Sequence, residues 1–258
     1  MRLDNPAHIA TVQWYATASY PCSYLPDTPA RSQVAVVDTA QAAAQYDALA
    51  HKGFRRSGSF IYRPHCDHCQ ACVPARIRVA DFVPSRSQRR AAQTLARFDI
   101  NLLPLTFRSD HLALYRQYQS SRHDEDRAAM SAAQTQEAYS QFLLRSHVNS
   151  NLVELRQPNG ALHAVAVVDW LADGVSAVYT FFDTSPQGSK ASPGTACVLW
   201  MVEQARARGL AYVYLGYWIA QSPKMAYKSK FQTLELLHGG QWVNHETHQH
   251  TLKTINAV

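Results

Sequence analysis

Residues 151–183 read NLVELRQPNGALHAVAVVDWLADGVSAVYTFFD. Three apolar runs, at 151–156, 161–171 and 175–183, are separated by Pro158–Asn159–Gly160 and Ala172–Asp173–Gly174. Asn-Gly and Asp-Gly take the backbone conformations of tight hairpin turns, so the runs read as an antiparallel meander. A loop rich in Ser, Gly and Pro follows at 183–194. Pro193 suits the first turn of a helix, where its missing N–H costs nothing; the helix covers PGTACVLWMVEQARAR and stops at Gly209. AYVYLGYW (211–218) is the next strand, PKMAYKSKF (223–231) a short helix and LELLHGG (234–240) a last strand.

Upstream, NLLPLTF (101–107) reads as a strand. Ser109 is placed to cap a helix over DHLALYRQYQSS, and Ser131 one over AAQTQEAYSQFLLR. Two helices, a three-strand meander, a loop into a helix N-terminus, then strand–helix–strand: this order resembles the GNAT-type acyltransferase fold, an α+β class. The resemblance implies that the free N–H groups at the helix start, around Gly194 and Thr195, hold phosphates of an acyl donor. Gly194–Thr195–Ala196 supplies the end of the usual acetyl-CoA signature. Ala191 stands where Gln or Arg belongs. Coenzyme A is thereby disfavoured, and an acyl donor of another kind stays open.

The first hundred residues differ in character. Residues 53–79, GFRRSGSFIYRPHCDHCQACVPARIRV, hold three cysteines, two histidines and five arginines. SFIYR (59–63) and ARIRVADF (75–82) read as strands flanking the cysteine loop, and Thr39 is placed to cap a helix over AQAAAQYDALAHK (40–52). Ser85 and Gln88 fit a capping box that opens an arginine-rich helix. Residues 1–98 carry 12 Lys or Arg against 6 Asp or Glu, whereas 99–258 carry 13 of each. The net charge of +6 therefore lies wholly in the first part. Such a field concentrates polyanions such as RNA, although a merely solvated basic face has the same composition. The expected division is a basic, Cys-rich N-terminal domain at 1–100 and a GNAT-like domain at 101–258.

Cys66, Cys69 and Cys72 stand at two-residue gaps, with Cys22 as the obvious fourth ligand and His65 and His68 as alternatives. Four such ligands suit zinc or an iron–sulfur cluster. The competing expectation is a loop packed by reduced thiols. Cys197 falls in an apolar helix and is expected in the core. Five cysteines, an odd number with three clustered, suit a reducing compartment, and the protein is expected in the cytoplasm. No run approaches ~20 apolar residues, so no membrane span is expected. MRLDNPAHIATVQWY lacks the pattern of a secretory signal. Arg86, Arg89 and Arg90 share one helix face suited to phosphates. Lys224, Lys228 and Lys230 surround Tyr227, and Tyr214 and Tyr217 are expected at a strand end, either as oxyanion donors and proton relays or as half-buried packing.

PCSYLP (21–26), GFRRSG (53–58), YRPHCDHCQACVPARIRV (62–79), SRSQRR (85–90), YRQYQSSRH (115–123), SPGTA (192–196) and GLAYVYLGYWIAQSPKMAYKSKF (209–231) occur in this order. Together they resemble the arginyl-tRNA–protein transferase family, and within it the short bacterial branch of aspartate/glutamate leucyltransferases. The resemblance implies a leucyl-tRNA donor and acceptor proteins beginning with Asp or Glu. It also implies a peptide bond made at the acceptor α-amine, no organic cofactor, and a product that enters the N-degron route to proteolysis. Transfer of arginine is the alternative. Asp183 is the candidate for steering the amine, with Tyr179, Tyr214 and Tyr217 on the oxyanion side. Arg55, Arg56, Arg76, Lys224, Tyr227 and Lys228 are candidates for the acidic acceptor, and Arg86, Arg89, Arg90, Gly194 and Thr195 for the tRNA. Metal would fall to Cys22, Cys66, Cys69 and Cys72. The rivals are a coenzyme-A-dependent N-acetyltransferase and a non-catalytic RNA-binding module.

Overall fold

The computed structural model describes residues 12–122, 131–189 and 192–246. The N-terminal MRLDNPAHIAT, His123 and Ala191 lie outside the described residues. The chain enters through β1 (Gln13–Ala16), a short ladder of β2 (Tyr20–Pro21) and β3 (Pro29–Ala30), and β4 (Ser32–Val36). Helix α1 (Ala42–His51) starts later than expected. Thr39 does not cap it: Gln41 holds the cap position without a side-chain bond. Gln45 Oε1 instead accepts the Asp38 N–H at 3.1 Å and fastens the approach to the helix. β5 (Arg55–Ser57) and β6 (Phe60–Pro64) complete an antiparallel sheet in the order β1-β4-β6-β5.

β7 (Val73–Arg78) belongs to a second, larger sheet. After it come α2 (Arg86–Thr94), β8 (Asp99–Leu103), α3 (Ser109–Arg122), α4 (Ala132–Tyr139), β9 (Ser150–Arg156), β10 (Leu162–Trp170) and β11 (Gly174–Phe182). The short α5 (Pro186–Ser189), α6 (Pro193–Ala207), β12 (Tyr212–Trp218), a 3-10 segment Pro223–Lys230, β13 (Leu234–His238) and β14 (Gln241–Asn244) follow. The architecture is mixed α and β, as expected. The expected capping box of Ser85 with Gln88 forms, and Ser131, expected as a cap, makes a second box with Gln134. The meander β9–β10–β11 is antiparallel, and α6 carries the chain across to β12, which lies parallel to β11.

The large sheet has the order β14-β13-β7-β12-β11-β10-β9-β8. β7 therefore sits between β12 and β13, antiparallel to both. The anticipated division at residue 100 has no counterpart in this sheet. A strand from the first hundred residues is bonded on both edges by strands from beyond residue 200, and β8 straddles the boundary. The side chains of β10 alternate between two faces. Ala164, Ala166 and Val168 pack with α6 and α2, while Val165 and Val167 pack with α3 and α4. The small sheet and α1 build a third cluster around Tyr46, Leu49 and Ile61.

On β9, Glu154 is buried against His111 of α3, whose Nε2 lies 2.7 Å away, and against Arg156 at 2.7 Å. Burial pushes its carboxyl up, but the bonds and charges of Arg156 and His111 outweigh this and hold it down at about 2. The ordinary value is 4.5. The stabilisation from this depressed carboxyl is thus fully present above pH 4.5 and is lost as pH falls toward 2. The stability difference between the natural chain and Glu154→Gln, measured by urea unfolding, is expected to be constant at neutral pH and to shrink across that acid window.

Candidate active site

β11 and β12 pair only from Gly174–Ser176 against Tyr212–Tyr214. Past that point both strands are irregular. β11 shifts register against β10 between Val167 and Val168, leaving Val178 as the extra residue, and β12 shifts against β7 between Tyr214 and Gly216. Bulges bend strands and add twist, and here the parallel neighbours part. Arg55 of β5 fills the opening. Its Nη2 donates to the carbonyl oxygens of Ala177 at 2.5 Å and Val178 at 2.9 Å. Gly216, with φ +75°, lies directly against the guanidinium, and a Cβ there would overlap it.

Several phenols surround this arginine. Tyr62 is its cross-strand partner on β6. The Tyr217 hydroxyl donates to the carbonyls of Gly53 at 3.0 Å and Tyr62 at 3.2 Å. Burial raises the phenols of Tyr62 and Tyr217, and that of Tyr24 to about 12, so all remain protonated donors at neutral pH. Lys228 is buried, and its Nζ donates to the Tyr217 carbonyl at 2.5 Å. Burial, and then the Arg55 charge, push its ammonium down to about 7. Tyr227 lies within electrostatic reach of both Arg55 and Tyr118, and burial pushes its phenol up to about 12.

Tyr62 and Tyr217 also line a cavity of about 690 Å³, together with Tyr24, Cys22, Cys66, Cys69 and Cys72. Burial pushes the Cys72 thiol up to about 12, and the other three cysteines add to the rise. Four sulfurs this close repel one another as thiolates, which suits a cationic guest. Among the described residues the only group of three or more ligand atoms mutually within 4.8 Å is Asp110, His111 and Glu154. The acidic trio is already neutralised by Arg156, which contacts both Asp110 and Glu154.

The profile described as "Arginine-tRNA-protein transferase, C terminus" matches residues 110–238, and that described as "Arginine-tRNA-protein transferase, N terminus" matches 20–90. The aspartate/glutamate leucyltransferase of Chromobacterium violaceum is 51% identical over 234 residues, covering 91% of this chain and 94% of its own. That of Methylobacillus flagellatus is 46% identical over 242 residues, covering 94% and 95%. The chain belongs to the arginine-tRNA-protein transferase family. It is an aminoacyltransferase, and its two family blocks, 20–90 and 110–238, contribute Arg55 and Gly216 to the same opening.

In this transferase the other sequence-derived candidates are distributed unevenly. Arg55, Tyr217, Tyr227, Lys228 and the four cysteines converge on one neighbourhood. Tyr179 follows Val178 directly on β11, and Asp183 lies just past the end of that strand. Tyr179 packs with Tyr115, Tyr118 and Phe142, and its hydroxyl lies 3.4 Å from Gln119 Nε2. The Asp183 carboxylate accepts from the Ser185 N–H and hydroxyl, each at 2.9 Å, at the turn into α5, and lies 3.4 Å from Gln117 Nε2. Gly194 and Thr195 lie in the first turn of α6, after Ser192 in left-handed backbone with no side-chain cap. Arg86, Arg89 and Arg90 are exposed on α2, and Lys224 is exposed at the start of the 3-10 segment.

Three expectations need correction. Arg56 is buried, with Nε and Nη2 on both oxygens of Asp169 at 2.8–3.0 Å, so it cannot greet an acceptor. Arg76 bonds Glu235 at 2.8 Å and is stacked between Tyr212 and Trp242 at 3.5 and 4.3 Å. Tyr214 does not share the site of Tyr217, because its hydroxyl donates to Asp173 at 2.9 Å beside His51. Tyr62 and Tyr24 were missed. The alternation in SFIYR puts Tyr62 on one face, but only the pairing with β5 brings it beside Arg55.

Gly216→Ala is expected to cost about 1–2 kcal/mol in left-handed backbone strain, with an added loss from displacing Arg55, and to reduce transfer activity. In an Arg55→Ala background the same substitution should cost only the backbone part. A double-mutant cycle by urea unfolding reads the coupling, and equal losses in both backgrounds would remove Arg55 as the wedge.

Proposed function

We propose that this enzyme moves leucine from leucyl-tRNA to the α-amine of proteins that begin with Asp or Glu, in the cytoplasm, and so marks them for N-degron proteolysis. The observation that carries the proposal is the near full-length similarity to aspartate/glutamate leucyltransferases, joined to a cleft built around a half-buried arginine. No helix among the described residues is long and apolar enough to cross a membrane. We also infer that the meander, α6 and β12 form a GNAT-type catalytic half behind a basic, Cys-rich first half. Support comes from the parting of a parallel strand pair beside the uncapped start of α6.

The aminoacyl ester is already activated, so no covalent enzyme intermediate is required. The acceptor nitrogen attacks the leucyl carbonyl carbon, the C–N bond forms, and the bond from carbon to the ribose oxygen breaks. The proton lost by the amine ends on that oxygen. Arg55 supplies a fixed positive charge for the tetrahedral oxyanion in a low-dielectric setting, where preorganised donors act most strongly. An α-amine titrates near ~8, so a minority, roughly a fifth, is already neutral at physiological pH without a strong base. The acidic side chain of the acceptor is assigned to Lys224, an exposed cation in the 3-10 segment that follows β12. The exposed Arg86, Arg89 and Arg90 are assigned to donor phosphates.

Cys22, Cys66, Cys69 and Cys72 would hold zinc or an iron–sulfur cluster, which would brace the cavity they share with Tyr62 and Tyr217. Leucyl-tRNA, arginyl-tRNA or acetyl-CoA, each incubated with peptides starting with Asp, Glu or Ala, distinguish the activities by product mass. Leucine addition to the Asp and Glu peptides alone is expected, and equal modification of the Ala peptide would sink the acceptor rule. Cys66→Ser and Cys72→Ser should lose bound metal and melt earlier, whereas Cys197→Ser should keep its metal. Elemental analysis of protein purified with and without air measures this.

A further inference from the structure

The four-stranded sheet has an outward face that is unusually apolar. Directly paired residues of an antiparallel sheet share a face. The row Tyr15, Val34, Tyr62 and Arg55 crosses all four strands. A second row joins Gln13 and Val36 to Phe60 and Ser57 by the same alternation. The opposite face, with Ala35, Ile61 and Arg56, is buried. A sheet face left to water normally carries polar side chains. This one exposes Phe60 at 58%, Tyr15 at 56% and Val36 at 42%. Contiguous exposed apolar surface marks a binding site.

The face is also directional. A groove of about 470 Å³ runs over Tyr15, Val34, Val36, Phe60 and Tyr62. Its mouth is formed by the exposed Phe60 and Tyr15, and its inner end by half-buried Tyr62, the cross-strand partner of Arg55. Tyr20 and Tyr62 line both this groove and the larger cavity. The groove is thus continuous with the site where the ester must be presented. Its lining contains no Lys, Arg, Asp or Glu, so it has no cation for an acidic acceptor residue. Aromatic rings, by contrast, accept any nucleobase by stacking. One cation adjoins it: Arg31 lines the neighbouring cavity, where it also meets Asp67 at 3.6 Å.

We propose that this sheet face is the track for the unpaired 3′ end of the donor tRNA, whose bases stack on Phe60, Tyr15 and Tyr62 while the esterified ribose reaches Arg55. The proposal rests on the aminoacyl-tRNA donor assigned above. It gives the first half of the chain a task beyond charge: it threads the single strand, and the second half supplies the strand opening in which the ester reacts.

The test uses the full chain, with steady-state kinetics in each substrate separately. Phe60→Ala and Tyr15→Ala change exposed side chains, and thermal melting checks that both variants fold. Each should raise KM for leucyl-tRNA roughly tenfold, the scale of one stacked base, and leave KM for an Asp-starting peptide unchanged. Phe60→Trp should restore donor KM. Phe60→Leu, apolar but without a π face, should behave like Phe60→Ala. Binding of an RNA hairpin that ends in the unpaired 3′ tail of a tRNA should exceed that of the same hairpin without the tail, and Phe60→Ala should erase the difference. A rise in peptide KM instead would assign the face to the acceptor polypeptide and overturn the proposal. So would a Phe60→Leu variant with normal donor KM, which fits a protein partner, or a loss of self-association in Phe60→Ala with unchanged kinetics. If the natural chain transfers leucine normally and both alanine variants keep donor KM, this track alone is wrong. If the natural chain does not use leucyl-tRNA, the donor assignment falls and the track falls with it.

Discussion

Arg56 and Asp169 meet with 2% and 0% of their side chains exposed, and the position of every part of the cleft follows from that contact. Two buried charges are costly unless each is fully met by partners. Here they are met. Arg56 Nη1 donates to the carbonyls of Gly58 and Arg145, and the Asp169 carboxylate also accepts from the Ser150 hydroxyl at 2.6 Å. One contact therefore ties the small sheet to β10, to β9 and to the segment after α4. Removing one partner of such a pair costs about 3–5 kcal/mol, so the docking has one register and little tolerance. Successive strand residues point to opposite faces. Once Arg56 is drawn inward to Asp169, Arg55 must emerge on the other side, where β11 and β12 separate.

That separation is a matter of backbone geometry. A parallel pair continued to its end would close the gap with hydrogen bonds. The irregularities at Val178 and Gly216 leave carbonyls of Ala177 and Val178 facing sideways, and Arg55 satisfies them. The guanidinium is thus both a wedge and a charge. Orphan carbonyls in a buried opening would be costly, which explains why a residue capable of several donations occupies it. Tyr62 and Tyr217 stand beside the cation with phenols that burial keeps protonated.

The cysteine cavity adjoins this cleft through Tyr62, Tyr217 and Cys72. Its thiols come from two distant segments, Cys22 in the turn between β2 and β3 and the loop between β6 and β7. Because β7 is held on both edges within the large sheet, any guest that draws the four sulfurs together braces the small sheet against the large one. Structural metal and the Arg56–Asp169 pair would then act on the same joint from two sides.

Much of the fold was legible in local chemistry. The Asn-Gly and Asp-Gly turns specified the meander, Pro193 and Gly209 bounded α6, and Ser85–Gln88 and Ser131 announced two helix starts, because each of these signals acts over a few residues. The clustered blocks of residues were enough to point to the family. Pairing was a different matter. β7 reads like a hairpin partner of β6, and nothing nearby says that it inserts between β12 and β13. Arg55 and Arg56 look alike in sequence, and both were equal candidates for substrate. One became a buried brace and the other a cleft residue, since the carbonyl that Arg55 meets lies 122 residues away and strand alternation lets only one of two neighbours face Asp169. The sequence alone determined the elements, the charge asymmetry and the chemistry on offer. Only the tertiary structure decided which of those groups share a site, because long-range strand pairing and burial, not local propensity, choose the face on which each side chain ends.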